Sequence, residues 1–286
     1  MEFRFLSEAP LMDARLEAEI VGFATAGSPL AHYVNFDCGN RVRARRLSRR
    51  AGLCYSGPVR IAEIFYSIQG EGRLAGTPSV FIRTSGCNLR CVWCDTPYTS
   101  WRPEGKDWPV EKILRAVKKY PARHVVVTGG EPLLAPELGE LTAALQSRGA
   151  HITIETAATI FKPVAADLIS LSPKLSNSTP WKRADGKFAE MHEERRINLD
   201  VIDQFLKRYD CQLKFVVERR GDFAEVRRLL AKLEPVQPAR VLLMAQATTR
   251  AALAAKAGWI VKLCLKHGYG YSPRLHIDLF GNRRGT

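Results

Sequence analysis

The chain has 286 residues, 46% of them apolar and 25% charged, and 43 basic against 29 acidic side chains give a net charge of +14. That composition suits a globular protein with a sizeable core, and no apolar run is long enough to span a bilayer, so a soluble protein is expected. The seven cysteines, at positions 38, 54, 87, 91, 94, 211 and 264, are odd in number and follow no secretory signal, so reduced thiols in a cytoplasmic protein are expected in place of a disulfide framework.

Residues 1–58 differ from the rest. Their periodicity is weak, and residues 41–60 hold seven Arg and no acid, which is half of the net charge. This stretch reads as a poorly ordered N-terminal extension carrying a solvated basic arm, with no direct nucleic-acid contact expected. The motif-bearing chain, residues 59–286, is expected to be the catalytic domain, and the working protein could begin near Val59.

From Val59 onward, strand and helix signals alternate. "SVFIRT" reads as a strand, and "PVEKILRAVKKY" places Val110, Ile113, Leu114 and Val117 on one helix face. "HVVVTGG" is a buried strand stopped by glycines, and "PELGELTAALQSRG" is a helix closed by Gly149. "HITIET" and "ADLISLSPK" read as strands, "VIDQFLKRYD" as a helix, "CQLKFVVE" as a strand and "DFAEVRRLLAKL" as a helix. "ARVLLMAQ" is a strand, "TRAALAAKAGWIVKLCLKHG" a helix, and "PRLHIDLFG" the expected last strand. The alternation predicts an α/β fold of six or seven parallel strands, a partial barrel or an open sheet. Sites in such folds form at the C-terminal ends of the strands, where Arg83, Thr128 to Pro132, Glu155-Thr156 and Ser172-Pro173-Lys174 all fall.

The chemical signal is "GCNLRCVWCDTPY", which puts Cys87, Cys91 and Cys94 within eight residues. Structural zinc wants four ligands in paired sets, and no second Cys-x-x-Cys or His pair is present. His124 and His151 are single histidines beside strands and read as structural. A catalytic cysteine needs one thiol. A [4Fe–4S] cluster on three thiolates, with one iron open to another ligand, fits the spacing better than either.

With Trp93 before its last cysteine, the loop resembles that of the radical S-adenosylmethionine superfamily. The resemblance implies a partial (βα) barrel of the radical SAM type, a [4Fe–4S] cluster, and reductive cleavage of S-adenosylmethionine to methionine and a 5'-deoxyadenosyl radical. Further stretches, "EIFYSIQGEG", "FIRTSGCNLRCVWCDTPY", "TGGEPLL", "IET", "LSPK" and "RLHIDLFGNRRG", resemble the 7-carboxy-7-deazaguanine synthase family from about Ile61 onward. That family is a carbon–nitrogen lyase family. It converts 6-carboxy-5,6,7,8-tetrahydropterin to 7-carboxy-7-deazaguanine with loss of ammonia, in the biosynthesis of queuosine-type deazapurines.

The resemblance implies a role for each matching residue. Cys87, Cys91 and Cys94 would hold the cluster and Thr96 a Mg²⁺ ion. Trp93, Cys94, Asp95, Gly130, Glu155, Ser172, Pro173 and Lys174 would meet S-adenosylmethionine. Ile68, Gln69, Gly70, Glu71, Arg83, Thr128 and His276 would meet the pterin, Arg83 at its carboxylate. It also implies a homodimer and a one-electron donor such as a flavodoxin.

Read without the resemblance, Arg83 could be a buried ion-pair partner, although its place before the cysteine loop favours function; "QGEG" reads as a polar turn, and Lys174 is equally a surface residue. Trp101, Trp108 and Trp181 read as packing residues, and Cys38, Cys54, Cys211 and Cys264 as bystanders. Two places depart from the family pattern: Ala158 stands where glycine is common, and "LLMAQATT" replaces a turn resembling "MPEG". Rival readings are a glycyl-radical enzyme activase, against which "QGEG" and "CDT" argue, a non-catalytic iron–sulfur or RNA-binding module, and a zinc-stabilised domain.

Overall fold

The computed structural model describes residues 57–286. The expected N-terminal extension, with its arginine run, Cys38 and Cys54, lies outside the described residues apart from its last two positions.

Nine strands form one sheet: β1 (Pro58–Ile68), β2 (Pro78–Thr84), β3 (Lys106–Pro109), β4 (His124–Gly129), β5 (His151–Thr156), β6 (Leu168–Leu171), β7 (Cys211–Val217), β8 (Val241–Ala245) and β9 (Gly270–Ser272). Their order is β3-β1-β2-β4-β5-β6-β7-β8-β9. From β2 to β9 neighbouring strands are parallel. At the other edge β1 runs antiparallel to both β2 and β3. The helices are α1 (Pro97–Ser100), α2 (Val110–Val117), α3 (Leu138–Gln146), α4 (Ala189–Arg195), α5 (Leu199–Arg208), α6 (Asp222–Leu230), α7 (Arg250–His267) and α8 (Leu275–Phe280).

Alternation along each strand sorts its side chains to two faces. Ile82, Val125, Val127, Ile152, Ile154, Ile169, Leu213, Phe215 and Leu243 join one apolar core with Leu114, Leu141, Phe205, Val226 and Ile260 of the covering helices. The opposite face carries Ser79, Phe81 and Arg83 on β2, His124, Val126 and Thr128 on β4, Thr153 and Glu155 on β5, and Gln212, Lys214 and Val216 on β7. Its apolar part is small: Phe65, Phe81 and Val126 pack together. The sheet does not close, since β3 and β9 remain edges. It is nonetheless curled, because Phe81 of β2 and Met244 of β8 line one cavity. The fold is therefore the open, partial barrel expected from the sequence.

Four details differ from that expectation. "VRIAEIFYSI" is a long strand, and its antiparallel pairing puts Ile68 opposite Pro78, the first residue of β2. The loop after β1 thus enters the bore at the N-terminal ends of the parallel strands. "PRLHIDLFG" is not the last strand. Pairing stops at Ser272, Pro273 offers no N–H to a ladder, and Leu275–Phe280 form a short helix that buries Ile277. Helices α1 and α4 were not anticipated. Trp181, expected to pack, is 60% exposed; Arg183 and Phe188 fill that role by packing on Trp101.

Candidate active site

The inner face of the barrel opens into a cavity of about 570 Å³. One wall is the loop that leaves β2. Cys87, Cys91 and Cys94 are free thiols, and all three line the cavity. The outward side of the loop is pinned by its own side chains and by the segment after β6. Arg90 Nη1 donates to the Cys87 and Leu89 carbonyls, each at 2.8 Å, and Trp101 Nε1 to the Cys91 carbonyl at 3.0 Å. Val92 N donates to Ser178 O at 2.7 Å, Trp93 Nε1 to Asn177 O at 2.9 Å, and Arg183 Nη1 to the Val92 carbonyl at 2.8 Å. With the backbone satisfied outward, the sulfurs are free to face inward. Burial pushes the Cys87 thiol up to about 11 and the Cys91 thiol up to about 12.

No three His, Cys, Asp or Glu among the described residues gather closely enough to hold a single ion. A cubane spreads its irons over separate corners, so it takes thiolates set further apart than one ion does. Three inward thiols on one short loop fit that requirement.

The neighbouring wall is the "TGGE" turn after β4. A Cβ on Gly130 would collide with the Gly86 carbonyl, so only glycine lets this turn lie against the cysteine loop. Glu131 accepts hydrogen bonds from Thr156 Oγ1 (2.8 Å), Ala157 N (2.9 Å) and Leu133 N (3.2 Å). It thereby ties the exit of β4 to that of β5, and burial holds its carboxyl above the usual range. Glu155 accepts from Thr128 Oγ1 at 2.8 Å and from Gln69 Nε2 at 3.1 Å.

The loop "QGEG" forms the floor. It reaches the cavity from the end opposite the strand tips, because β1 is antiparallel. Gly72 N donates to Ser272 Oγ at 2.9 Å and Arg73 N to Gln212 Oε1 at 2.9 Å, which carries the loop across the open side of the barrel. Gly70 lies so close to His276 that any side chain would strike the imidazole.

Above the floor stands a chain of buried charge. Lys214 Nζ donates to Glu71 Oε2, Arg274 Nε to Glu71 Oε1 at 3.1 Å, and Arg274 Nη2 to Asp95 Oδ2. Burial alone would raise the Glu71 and Asp95 carboxyls, but Lys214 and Arg274 beside the first and Arg274 beside the second more than offset it and hold both below the ordinary carboxylate range. Burial lowers the His276 imidazole.

Arg83 is an ion-pair partner that also lines the cavity. Its Nε donates to Glu63 Oε1 at 2.7 Å and its guanidinium lies over Phe65. Its terminal nitrogens have no hydrogen-bond partner among the described residues, and the side chain lines the cavity. Lys174 Nζ donates to Ser172 Oγ and O, each at 2.8 Å, so it is folded back along the rim. Thr96 Oγ1 accepts from Thr99 Oγ1 at 3.3 Å and lies 3.8 Å from Cys94 Sγ. Of the residues singled out in the sequence, Ile68, Gln69, Gly70, Glu71, Arg83, the three cysteines, Trp93, Asp95, Thr96, Thr128, Gly130, Glu155, Ser172, Lys174 and His276 meet around this one space, whereas Pro173 is buried beside it.

The sequence reading missed Lys214 and Arg274. The first had a signal: a lysine inside a strand buried at every position, "CQLKFVV", needs a partner. Arg274 had none beyond its place next to "LHI".

Residues 81–233 match the Radical SAM superfamily. The chain is 46% identical over 227 residues to the 7-carboxy-7-deazaguanine synthase of Rhodopirellula baltica, covering 79% of this chain and 88% of that one. It is 44% identical to the synthase of Halobacterium salinarum, covering 83% and 97%. The crystal structure of QueE from Escherichia coli superposes with a TM-score of 0.59 at 26% identity, covering 77% of this chain and 95% of that chain.

Proposed function

The chain belongs to the radical SAM superfamily and, within it, to the 7-carboxy-7-deazaguanine synthase family, and from that premise we propose how its cavity converts 6-carboxy-5,6,7,8-tetrahydropterin to 7-carboxy-7-deazaguanine with loss of ammonia. The observation that carries the reading is the meeting of the cysteine wall, the "QGEG" floor and the Arg83–Thr128–Glu155 strand tips around one space.

When bound, the cluster and S-adenosylmethionine would supply radical chemistry at the carbon bearing the pterin carboxylate. Cys87, Cys91 and Cys94 hold that cluster. Trp93, Asp95, Gly130, Ser172, Pro173 and Lys174 surround the cofactor. Gly130 can be approached by its backbone, and Lys174 offers a cation at the rim.

The chain's other residues orient the substrate. Arg83, with Nε fixed by Glu63, presents its terminal nitrogens to the carboxylate, where a two-pronged charge-assisted contact fixes both position and angle. Glu71 accepts from the amidine edge of the pterin, and Gln69 pairs with its amide. Ile68, Gly70 and His276 complete that side. Glu155 is already committed to Gln69 and Thr128, so it aligns the pterin contacts while its free lone pairs face the ribose hydroxyls. Thr96 offers a hydroxyl lone pair to Mg²⁺, whose other ligands would come from substrate and water. The closed floor keeps bulk water from the reacting carbon.

A flavodoxin-type electron donor, a homodimer and a cytoplasmic location complete the reading; for the last, no helix among the described residues is long and apolar enough to cross a membrane.

The test uses anaerobically reconstituted protein with dithionite, S-adenosylmethionine, Mg²⁺ and the carboxytetrahydropterin, followed by mass spectrometry. 7-Carboxy-7-deazaguanine should form, and Cys91→Ala should abolish both it and 5'-deoxyadenosine. Deoxyadenosine without deazaguanine from the unaltered chain would retain the radical chemistry and sink the substrate.

A further inference from the structure

Arg274 makes three contacts that no other side chain of the cavity combines. Its Nε donates to Glu71 Oε1 at 3.1 Å, its Nη1 to the Ala247 carbonyl at 2.6 Å, and its Nη2 to Asp95 Oδ2. Next to it, Leu275 N donates to Gly70 O at 2.9 Å. One guanidinium therefore joins the "QGEG" floor, the residue after the last cysteine, the loop that leaves β8, and the start of α8. The Ala247 loop is the one whose sequence departs from the family pattern, so here it is held through a carbonyl.

The arrangement is rigid on one side and yielding on the other. The Arg274 side chain is 6% exposed, as is that of Lys214, which holds the second oxygen of Glu71. Glu71 is thus gripped at both oxygens and cannot turn alone. Asp95 is 37% exposed and has Arg274 as its one hydrogen-bond partner among the described residues. A planar fork with three fixed acceptors cannot follow one carboxylate without moving against the other. Two cations and two carboxylates balance, so displacing any member leaves a buried charge uncompensated.

We propose that Arg274 is a positioning residue that couples the two halves of the cavity: occupation of the Glu71 side by the pterin orders Asp95 for S-adenosylmethionine, and the reverse. This rests on the assignment of the Glu71 side to substrate and the Asp95 side to cofactor. The linkage is positive, because the first ligand orders a network that the second then meets already ordered. Its use is economy of the cofactor: it is seated best when the substrate is there to receive the radical.

The experiment measures S-adenosylmethionine affinity by anaerobic titration calorimetry on the reconstituted full chain, with and without the carboxytetrahydropterin and without reductant. The unaltered chain should bind the cofactor about fivefold or more tightly when the pterin is present, and the pterin should gain by the same factor, as linkage requires. Arg274→Gln should bring that factor close to one. It should also raise the ratio of 5'-deoxyadenosine to deazaguanine under dithionite turnover, a ratio that a general loss of stability would leave unchanged. Arg274→Lys keeps the charge without the fork and should retain only part of the factor; it decides the matter if the Gln variant does not fold. Lys214→Met should weaken pterin binding and leave the factor largely in place. The same factor in Arg274→Gln as in the unaltered chain, or both ligands binding the unaltered chain without linkage, overturns the inference alone. An unaltered chain that binds no pterin sinks the reading of the cavity and this inference with it.

Discussion

Strands β2, β4 and β5 carry buried polar groups at both ends, and the two ends behave differently. At the N-terminal end His124 lies 2.7 Å from Ser79 Oγ and 2.8 Å from Thr153 Oγ1, with the His151 ring 5.1 Å away by centroids. Burial keeps the His124 imidazole neutral, and both of its ring nitrogens are satisfied by its neighbours. The hollow beside them is lined mostly by Tyr66, Leu74, Pro78, Pro121 and the histidines, with Arg123 its one charged residue. At the C-terminal end the same strands carry Arg83, Thr128 and Glu155: Arg83 is held by Glu63 through Nε alone, Glu155 accepts from Thr128 and from Gln69 of the floor, and all three line the cavity. Burial of polarity is common to both. Completed pairing marks a structural cluster, and incomplete pairing around a cavity marks a site.

The sharpest break of this comparison pairs one substitution from each end. Arg83→Met should lower kcat/KM for the pterin by roughly 10- to 100-fold, the worth of a charge-assisted contact of about 1.5–3 kcal/mol. His124→Ala should leave kcat/KM near that of the unaltered chain. It should instead cost about 1–3 kcal/mol of unfolding free energy, because the buried Thr153 hydroxyl loses its partner and that of Ser79 keeps only the Thr77 carbonyl. Steady-state kinetics and denaturant melts on the two variants read both quantities. Loss of activity without loss of stability in His124→Ala would erase the distinction between the ends.

The pH dependence separates the ends along another axis. Burial holds the His124 imidazole down to about 4, and the buried His192 likewise to about 4. An unfolded histidine takes its proton near 6.5. Between those values the unfolded state binds more protons, so stability falls as the pH falls from about 6.5 toward 4. The limiting slope is about 1.4 kcal/mol per pH unit for each histidine. Glu71 and Asp95, held below the ordinary carboxylate range, contribute stability that is fully present above about 4 and is lost only as the pH falls further. Melts from pH 7 to 5 should therefore lose slope in His124→Ala and keep it in Glu71→Gln. The opposite result would mean that the buried charges around Glu71, and not the buried histidines, set acid stability in that window.

The motif residues at the C-terminal end were legible because each has a local chemical signature: three thiols in one loop, paired glycines before Glu131, an arginine at a strand tip. The parallel strands were legible from β-branched runs such as "HVVVTGG" and "HITIET". What the sequence did not reveal depends on pairing across distance. That "QGEG" enters as a floor follows from the antiparallel register of β1 with β2, which nothing in the motif announces. "RLHIDLF" alternates like a strand, yet Pro273 ends the ladder and Arg274 turns inward to Glu71 and Asp95, and the segment winds into a helix. Lys214 and Arg274 gain meaning only from Glu71, more than 140 residues away in sequence from the first and more than 200 from the second. His124, read as structural, is buried between Ser79 and Thr153, whereas His151 is exposed and only stacks its ring edge against His124.

The smallest expected effect lies at the rim between the two ends, where β5 leaves the sheet. Ala158 has a backbone conformation that favours glycine: φ is +57°, in the left-handed region. An L-residue there places its Cβ against the following carbonyl, at a cost of about 1–2 kcal/mol. Ala158 is fully buried, and its N–H donates to Thr156 Oγ1 at 3.0 Å, the same threonine that bonds Glu131. The strain is thus held by the hydrogen bonds that tie the exits of β4 and β5 together. Ala158→Gly removes the clash but gives the unfolded chain more freedom, which takes back about 0.5–1 kcal/mol. The net should be a stabilisation below about 1 kcal/mol, read from the denaturant midpoint, with kcat/KM unchanged because the turn keeps its shape. A loss of stability would mean that the buried methyl group contributes more to packing than its conformation costs.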